Sequence, residues 1–356
     1  MSTYLWDILD PSELSQMVDE GYVRVQTHPV YPYNIACYTK QAMFERVWNN
    51  TTLNCRGLIW RQDNGRVLAR PFKKFFNYGE PNAPEFAHDD WVTVYDKVDG
   101  SLGIAYDTPE GPAIATKGSF ASEQAIHATK LLRAKYGMYD SEEWVTDLFE
   151  IIYPENRIVL DYGDKDDLIY LGSVYIDSGE DYWNGVYIDM VCGIPKNHFM
   201  LAGEWGQVKE QIALNRPNAE GVVVLREETG DRIKLKQEDY LELHKVMTGL
   251  NERQLWEWLA EGKSFNSILE DLPEELHDWA GPIMGKILDE REVMVHAIGS
   301  AYQYHVSHAS DRKDFALRIK GYPSLDKGVM FCMLDGHFDR AEQLIWNSLK
   351  PRGEKK

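Results

Sequence analysis

The spacing of apolar residues changes once along this chain, near residue 240, and that change constrains the fold more than any other feature. Upstream, apolar residues alternate or run in short blocks. WVTVYDKV, SLGIAY, RIVLDYG, LIYLGSVYID and the pair EGVVVL and RIKLK read as strands. Asp99-Gly100 separates the first two and favours a tight turn between paired strands. Gly230 supplies turn freedom between Arg226 and Asp231. SEQAIHATKLLRAKYG predicts a helix that begins at Ser122 and stops at Gly137. Downstream, YLELHKVM, ERQLWEWLAEG and SFNSILEDL carry apolar residues at three- and four-residue spacing. A long helix is expected to follow Pro282, on Ile283, Ile287, Met294, Ile298 and Tyr302, and FDRAEQLIWNSL closes the series before a frayed PRGEKK tail. The expected fold is α+β. Residues 1–245 would form a domain of antiparallel sheets with flanking helices, and 246–356 an all-helical domain, with the boundary near 240–250.

Length and composition agree with two domains. The 356 residues divide at roughly 150 per domain, and 44% hydrophobic with 12% aromatic content excludes disorder for most of the chain. No stretch approaches the roughly 18 consecutive apolar residues of a membrane span. The start, MSTYLWDILD, lacks the basic-then-apolar plan of a secretory signal. Cys37, Cys55, Cys192 and Cys332 lie far apart with no CxxC pair, so a disulfide framework or structural zinc is not expected and a reducing cytoplasm is. Net charge is −19, which excludes tight non-specific coating of DNA. The imbalance is uneven: residues 1–240 hold 23 Lys and Arg against 38 Asp and Glu, and residues 241–356 hold 15 against 19. A groove touching a few phosphates remains compatible with that balance.

Lys97-Val98-Asp99-Gly100-Ser101 is the pentapeptide richest in chemistry. Gly100 lets a ligand approach the backbone, and lysine is a nucleophile only when neutral, so a nearby cation or bound metal must depress its reference pKa of ~10.4. The bland alternative is an exposed turn with a surface lysine. Downstream, Lys234 and Lys236 are two apart on a strand and share a face. Taken alone they would read as a solvated sheet face. Opposite them, Glu220 offers a carboxylate for a hydrated cation while the lysines neutralise phosphate oxygens.

In this order KVDGS, LFEII, EGVVV and KLK resemble the nucleotidyltransferase motifs of the covalent-lysine ligases and capping enzymes. CRGLIW, RPFKKFFN, the KGS of ATKGSF with SEQA, and PENRIVL resemble more closely the bacteriophage T4 RNA ligase 1 family. The resemblance covers roughly residues 30–245. It implies an ATP-dependent RNA ligase: attack on ATP gives a lysyl-AMP, AMP moves to an RNA 5′-phosphate, and a 3′-hydroxyl displaces it. By resemblance Lys97 is the nucleophile, Asp99 and Glu220 hold a hydrated Mg²⁺ or Mn²⁺, Gly221 belongs with Glu220 to the metal-linked motif, Gly100 permits close approach, and Glu150 takes the ribose. Lys234 and Lys236 contact phosphate, and Arg56, Lys74, Phe76 and Lys117 surround the nucleotide. The implied partners are RNA 3′-OH and 5′-phosphate ends, with a cleaved tRNA as the folded candidate. The protein is expected to be a monomer in the cytoplasm, that of the host if phage-encoded.

Several assignments have structural alternatives. Phe76 is nearly as well read as core packing, because Phe75 beside it must face the other way on a strand. Arg56 could serve an ion pair, and Lys73 competes with Lys74. Glu150 sits in an apolar run where an unpaired carboxylate is costly, which a bound ribose would relieve. Tyr170 and Tyr175 are candidates for stacking on adenine. The histidines are scattered without metal-ligand spacing. A DNA ligase or capping guanylyltransferase is the runner-up, although those append an oligonucleotide-binding barrel where this chain turns helical. A silent RNA-end-binding protein would have lost the motif lysines, and a Schiff-base enzyme would need a carbonyl-site signature. The helical region is expected to select RNA through Arg312, Lys313, Arg318 and Lys320, opposed locally by only Asp311 and Asp314.

Overall fold

The structure is a computed structural model that describes residues 2–156, 159–182, 185–212, 216, 219–237, 250–272 and 276–351. The chain forms two compact units, Met1–His244 and Lys245–Lys356. The expected boundary and the YLELHKVM helix fall on residues outside the described ones, as does nearly all of the PRGEKK tail.

The first unit is built on three sheets. β1 (Val23–Thr27), β2 (Tyr33–Tyr38), β3 (Arg56–Arg61) and β4 (Val67–Ala69) form an antiparallel meander. The strands that follow are β5 (Phe76–Asn77), β6 (Trp91–Asp96), β7 (Ser101–Thr108), β8 (Gly111–Thr116), β9 (Val145–Ile152), β10 (Asp167–Tyr175), β11 (Asp181–Tyr182), β12 (Phe199–Glu204), β13 (Gly221–Arg226) and β14 (Arg232–Lys236). They divide between two five-stranded sheets, ordered β11-β10-β9-β7-β8 and β12-β6-β13-β14-β5. Among the strand pairings of the described residues, only β14–β5 is parallel.

Two sequence expectations change here. β6 and β7 flank Asp99-Gly100 but do not pair. β6 lies between β12 and β13, and β7 lies between β8 and β9, so the edges of both strands are already used. Residues 97–100 therefore cross from one sheet to the other. The described part of RIVLDYG, residues 159–163, is irregular and hydrogen-bonds to Asp99 instead of a neighbouring strand.

Periodicity was a sound guide elsewhere. β13 and β14 form the expected hairpin, with Gly221 opposite Lys236 and Val223 opposite Lys234. The helix Glu123–Lys135 starts where the Ser122 side chain accepts the Ala125 N–H. It ends at Lys135, short of Gly137, with Arg133 and Lys135 in its last turn, where cations suit the exposed carbonyls. Ala128 and Leu132 of this helix pack on Ile114, Phe149, Ile151 and Leu168. Burying each such Leu or Phe contributes about 1.5–3 kcal/mol. The other face of β9 carries Leu148, which packs with Ile104, Ile35 and Ile59 between the second sheet and the meander.

The second unit is helical throughout its described residues. Its helices are Glu252–Ala260, Phe265–Asp271, His277–His308, Arg312–Arg318, Ser324–Leu334 and Phe338–Ser348. Asn251, Ser264 and Asp311 cap three of them with side-chain acceptors. The long helix begins at His277, ahead of Pro282, so the proline sits inside its second turn and forfeits one backbone bond. The Leu255, Trp256, Leu259, Ile268 and Leu276 cluster compensates by burying the helix start. No helix among the described residues is long and apolar enough to cross a membrane.

Candidate active site

The crossover from β6 to β7 carries Lys97, anchored by β13 on one side and by the irregular segment 159–162 on the other. The Lys97 N–H donates to the Gly221 carbonyl at 3.0 Å, tying the segment to β13. The Asp99 carboxylate accepts the N–H groups of Val159 and Leu160 at 2.9 and 2.8 Å, and its own N–H donates to the Tyr162 hydroxyl at 3.0 Å. Gly100 is required by space: a Cβ there would lie 2.5 Å from the Ile151 carbonyl oxygen and 3.1 Å from the Glu150 side chain. Gly221 is required by conformation and space, with φ at +154° and a Cβ position 2.1 Å from the Leu235 carbonyl oxygen.

Side chains converge at this crossover. Lys97 Nζ lies 2.6 Å from Glu220 Oε1, and Lys236 Nζ lies 3.0 Å from the same oxygen. Glu220 is 1% exposed, at the residue before β13. Lys234 and Lys236 share a face because Ile233 and Leu235, alternating with them, fill the core beneath the sheet. Glu150 is on the β9 face opposite Phe149 and Ile151. Burial pushes its carboxyl up to about 8, with the Glu220 and Asp99 charges raising it further and Lys97 and Arg56 opposing. Those four charges surround Glu150.

The remaining expected residues form two aromatic-centred groups. The Arg56 guanidinium lies 5.4 Å from the Phe75 ring centre and Lys234 Nζ lies 5.7 Å from it. Phe76 is buried, edge-on to Trp48 at 5.3 Å, so Phe75 rather than Phe76 is the ring between the basic groups. Lys74 Nζ faces the rings of Tyr38, Trp48 and Phe76 at 5.5 Å each, and Lys117 Nζ lies 4.9 Å from Tyr38. Tyr38, Phe75 and Tyr162 thus lie beside the candidate residues, and sequence reasoning passed them over. Phe75 was visible only as the neighbour of a motif residue, and Tyr38 and Tyr162 lay outside every motif. Tyr170 and Tyr175 are no base-stacking candidates. They pair across β9 with Phe149 and Val145, on the face away from Glu150, and Tyr170 is buried with its hydroxyl 2.6 Å from Ser173 Oγ.

These residues fit a divalent cation in a limited way. Glu220 Oε2 is buried with no hydrogen-bond partner among the described residues, and Asp99 lies two residues from Lys97. No group of three or more His, Cys, Asp or Glu converges among the described residues. A cation here would take its remaining ligands from phosphate and water, as Mg²⁺ does.

A family model described as RNA ligase, of the T4 RNA ligase 1 type, matches residues 54–241, more than half the chain. The chain belongs to this RNA ligase family. The matched span of the ligase holds the crossover lysine, the β13–β14 hairpin and Glu150. An RNA ligase of Rhodothermus phage RM378 is 24% identical over 92% of this chain and 89% of its own length. RNA ligase 1 of bacteriophage TS2126 is 29% identical, over 42% of this chain and 36% of its own. Among solved structures, a putative ATP-dependent DNA ligase from Aquifex aeolicus is 14% identical over 92% of this chain and 81% of its own, with a TM-score of 0.48.

Proposed function

We propose that this RNA ligase works through a lysyl-AMP formed on Lys97, using ATP and a divalent cation, and joins RNA 3′-OH and 5′-phosphate ends. The observation that carries this reading is the Lys97–Glu220–Lys236 cluster, with one nucleophile-capable ammonium and one basic neighbour on a single buried carboxylate oxygen. Lys97 Nζ bonds to the α-phosphorus as the bond from that phosphorus to pyrophosphate breaks. The proton leaving Lys97 has Glu220 Oε1 as its first acceptor, 2.6 Å away. Lys236 and Lys234 offset charge on the departing pyrophosphate, and such positioning and charge neutralisation dominate phosphoryl-type transfer. A Mg²⁺ or Mn²⁺ held by Glu220 and Asp99 would neutralise phosphate charge when bound. Glu150 suits the ribose: a neutral carboxyl can donate to a hydroxyl and an ionised one can accept from it. Arg56 and Lys234 flank Phe75, and Lys74 and Lys117 converge on Tyr38, which gives two further positions for phosphate oxygens. Residues 1–245 would make the bond, and 246–356 would choose the RNA, a cleaved tRNA being the folded substrate to try first.

The test is incubation with α-labelled ATP and magnesium. A covalent protein adenylate should form that survives acid denaturation, and Lys97→Ala should abolish it. Undiminished labelling in that variant rejects Lys97 as the nucleophile. Offering labelled GTP in parallel separates ATP use from a capping-type reaction.

A further inference from the structure

The crossover that carries Lys97 has no strand partner of its own and depends on individual hydrogen bonds for its position. The Lys97 N–H is fixed by Gly221 on one side. On the other side Asp99 is fixed twice by the same short segment: its carboxylate receives the Val159 and Leu160 N–H groups, and its own N–H is received by the Tyr162 hydroxyl at 3.0 Å. Asp99 is 5% exposed, so its N–H has little access to water if that hydroxyl is removed. Tyr162 packs against Val159 and Leu160, which form a small apolar cluster of their own. A cavity of about 120 Å³ lined by Asp99, Tyr162, Asn156 and Tyr153 adjoins it, leaving the crossover room to shift if the bond is lost.

We infer that Tyr162 is a positioning residue for adenylyl transfer, its hydroxyl holding the Asp99 backbone so that Lys97 is aimed at the α-phosphorus. This rests on the reading of Lys97 as the nucleophile. The Tyr162 hydroxyl bonds to the Asp99 main chain, so its effect is expected on the geometry of attack more than on ATP binding. A misplacement of about 1 Å in a reacting group can cost on the order of 10² in rate.

The experiment measures single-turnover lysyl-AMP formation across an ATP series for the wild type, Tyr162→Phe and Lys97→Ala, with thermal melts of each. Sealing of a preformed RNA adenylate, where Lys97 does not attack, is measured beside them. Tyr162→Phe removes one hydroxyl and keeps the ring that packs on Val159 and Leu160. Its maximal rate should fall about 10- to 100-fold, with half-saturating ATP within about twofold, a melting temperature lowered by no more than about 10 °C, as one buried N–H left unpaired allows, and sealing of the adenylate within about threefold. A maximal rate within threefold of wild type overturns the inference. So does a loss matched by weaker ATP binding, poorer sealing of the adenylate or a drop in melting temperature beyond about 10 °C, because general loosening would then explain it. If Lys97→Ala still becomes labelled, the reading of the nucleophile fails. If only Tyr162→Phe behaves as wild type, that reading stands and the positioning role alone falls.

Discussion

Lys97 Nζ and Glu220 Oε1 lie 2.6 Å apart, although they are 123 positions apart in the chain. The pair exists because β6 and β13 are hydrogen-bonded neighbours, with Val222 opposite Asp96. Lys97 follows β6 and Glu220 precedes β13, so antiparallel pairing brings the two ends together. Lys236, opposite Gly221 on β14, completes the cluster through the next rung of the same sheet.

Lys234→Ala and Lys236→Ala should differ in stability while agreeing in chemistry. Each should slow lysyl-AMP formation by about 10²–10³, the usual cost of losing a preorganised charge contact. Lys236 is 9% exposed and pairs with a buried carboxylate. Removing it should also cost about 3 kcal/mol, at the low end for breaking a buried pair because Lys97 remains on Glu220. Chemical denaturation beside the labelling assay checks this, and equal stability of the two variants would contradict the buried geometry.

Gly100→Ala should inactivate the enzyme even though alanine is a small addition. The added methyl would stand 2.5 Å from the Ile151 carbonyl oxygen, and backbone on β9 cannot move aside cheaply. The expected cost is about 1–3 kcal/mol of stability and at least a hundredfold in labelling rate. A fully active Gly100→Ala protein would mean that the crossover approaches β9 less closely.

Stability should depend on pH through Glu150. Its carboxyl is pushed from an ordinary 4.5 up to about 8 by burial, so the folded protein keeps a proton that the unfolded chain releases. Between those values the folded state binds more protons, and stability falls as pH rises through that window and then levels off. Glu150→Gln, a neutral isostere, should remove that slope and gain on the wild type above pH 8. Urea midpoints from pH 5 to 9 test the sign, and parallel curves for the two proteins would refute it.

Truncation near Gly249 should leave a protein that still forms lysyl-AMP, since all proposed chemical residues precede it, while sealing of a cleaved tRNA is lost. Within the second unit the structure narrows the basic patch. Arg312 pairs with Asp335, with its Nη2 3.0 Å from Oδ2, and Arg318 pairs with Asp314 at 3.1 Å. The four exposed cations are therefore opposed by three acids, and Lys313 and Lys320 are the two to reverse, because Arg312 and Arg318 are held in ion pairs. The Lys313→Glu, Lys320→Glu double variant should keep adenylylation but seal RNA less well, with the salt slope reduced by roughly one per lost phosphate contact. Sealing that is unchanged at low and moderate salt would remove this surface from RNA selection.

The sequence by itself determined what short-range pattern encodes. Alternating apolar residues set the strands and the β13–β14 hairpin, three- and four-residue spacing set the helices after 250, and ordered motifs pointed to Lys97, Glu220, Lys234 and Lys236. It did so because side-chain period and motif chemistry are properties of adjacent residues. Tertiary structure decided which strands are neighbours. An Asp-Gly step between two strand-like runs reads locally as a hairpin, yet β6 and β7 each find both partners elsewhere, and the step becomes a crossover. For the same reason Val159, Leu160 and Tyr162 leave the strand pattern to satisfy Asp99, Phe75 displaces Phe76 between the basic groups, and Tyr38 gathers two lysines. Each of these depends on hydrogen bonds or ring contacts between residues distant in sequence, and no local spacing specifies them.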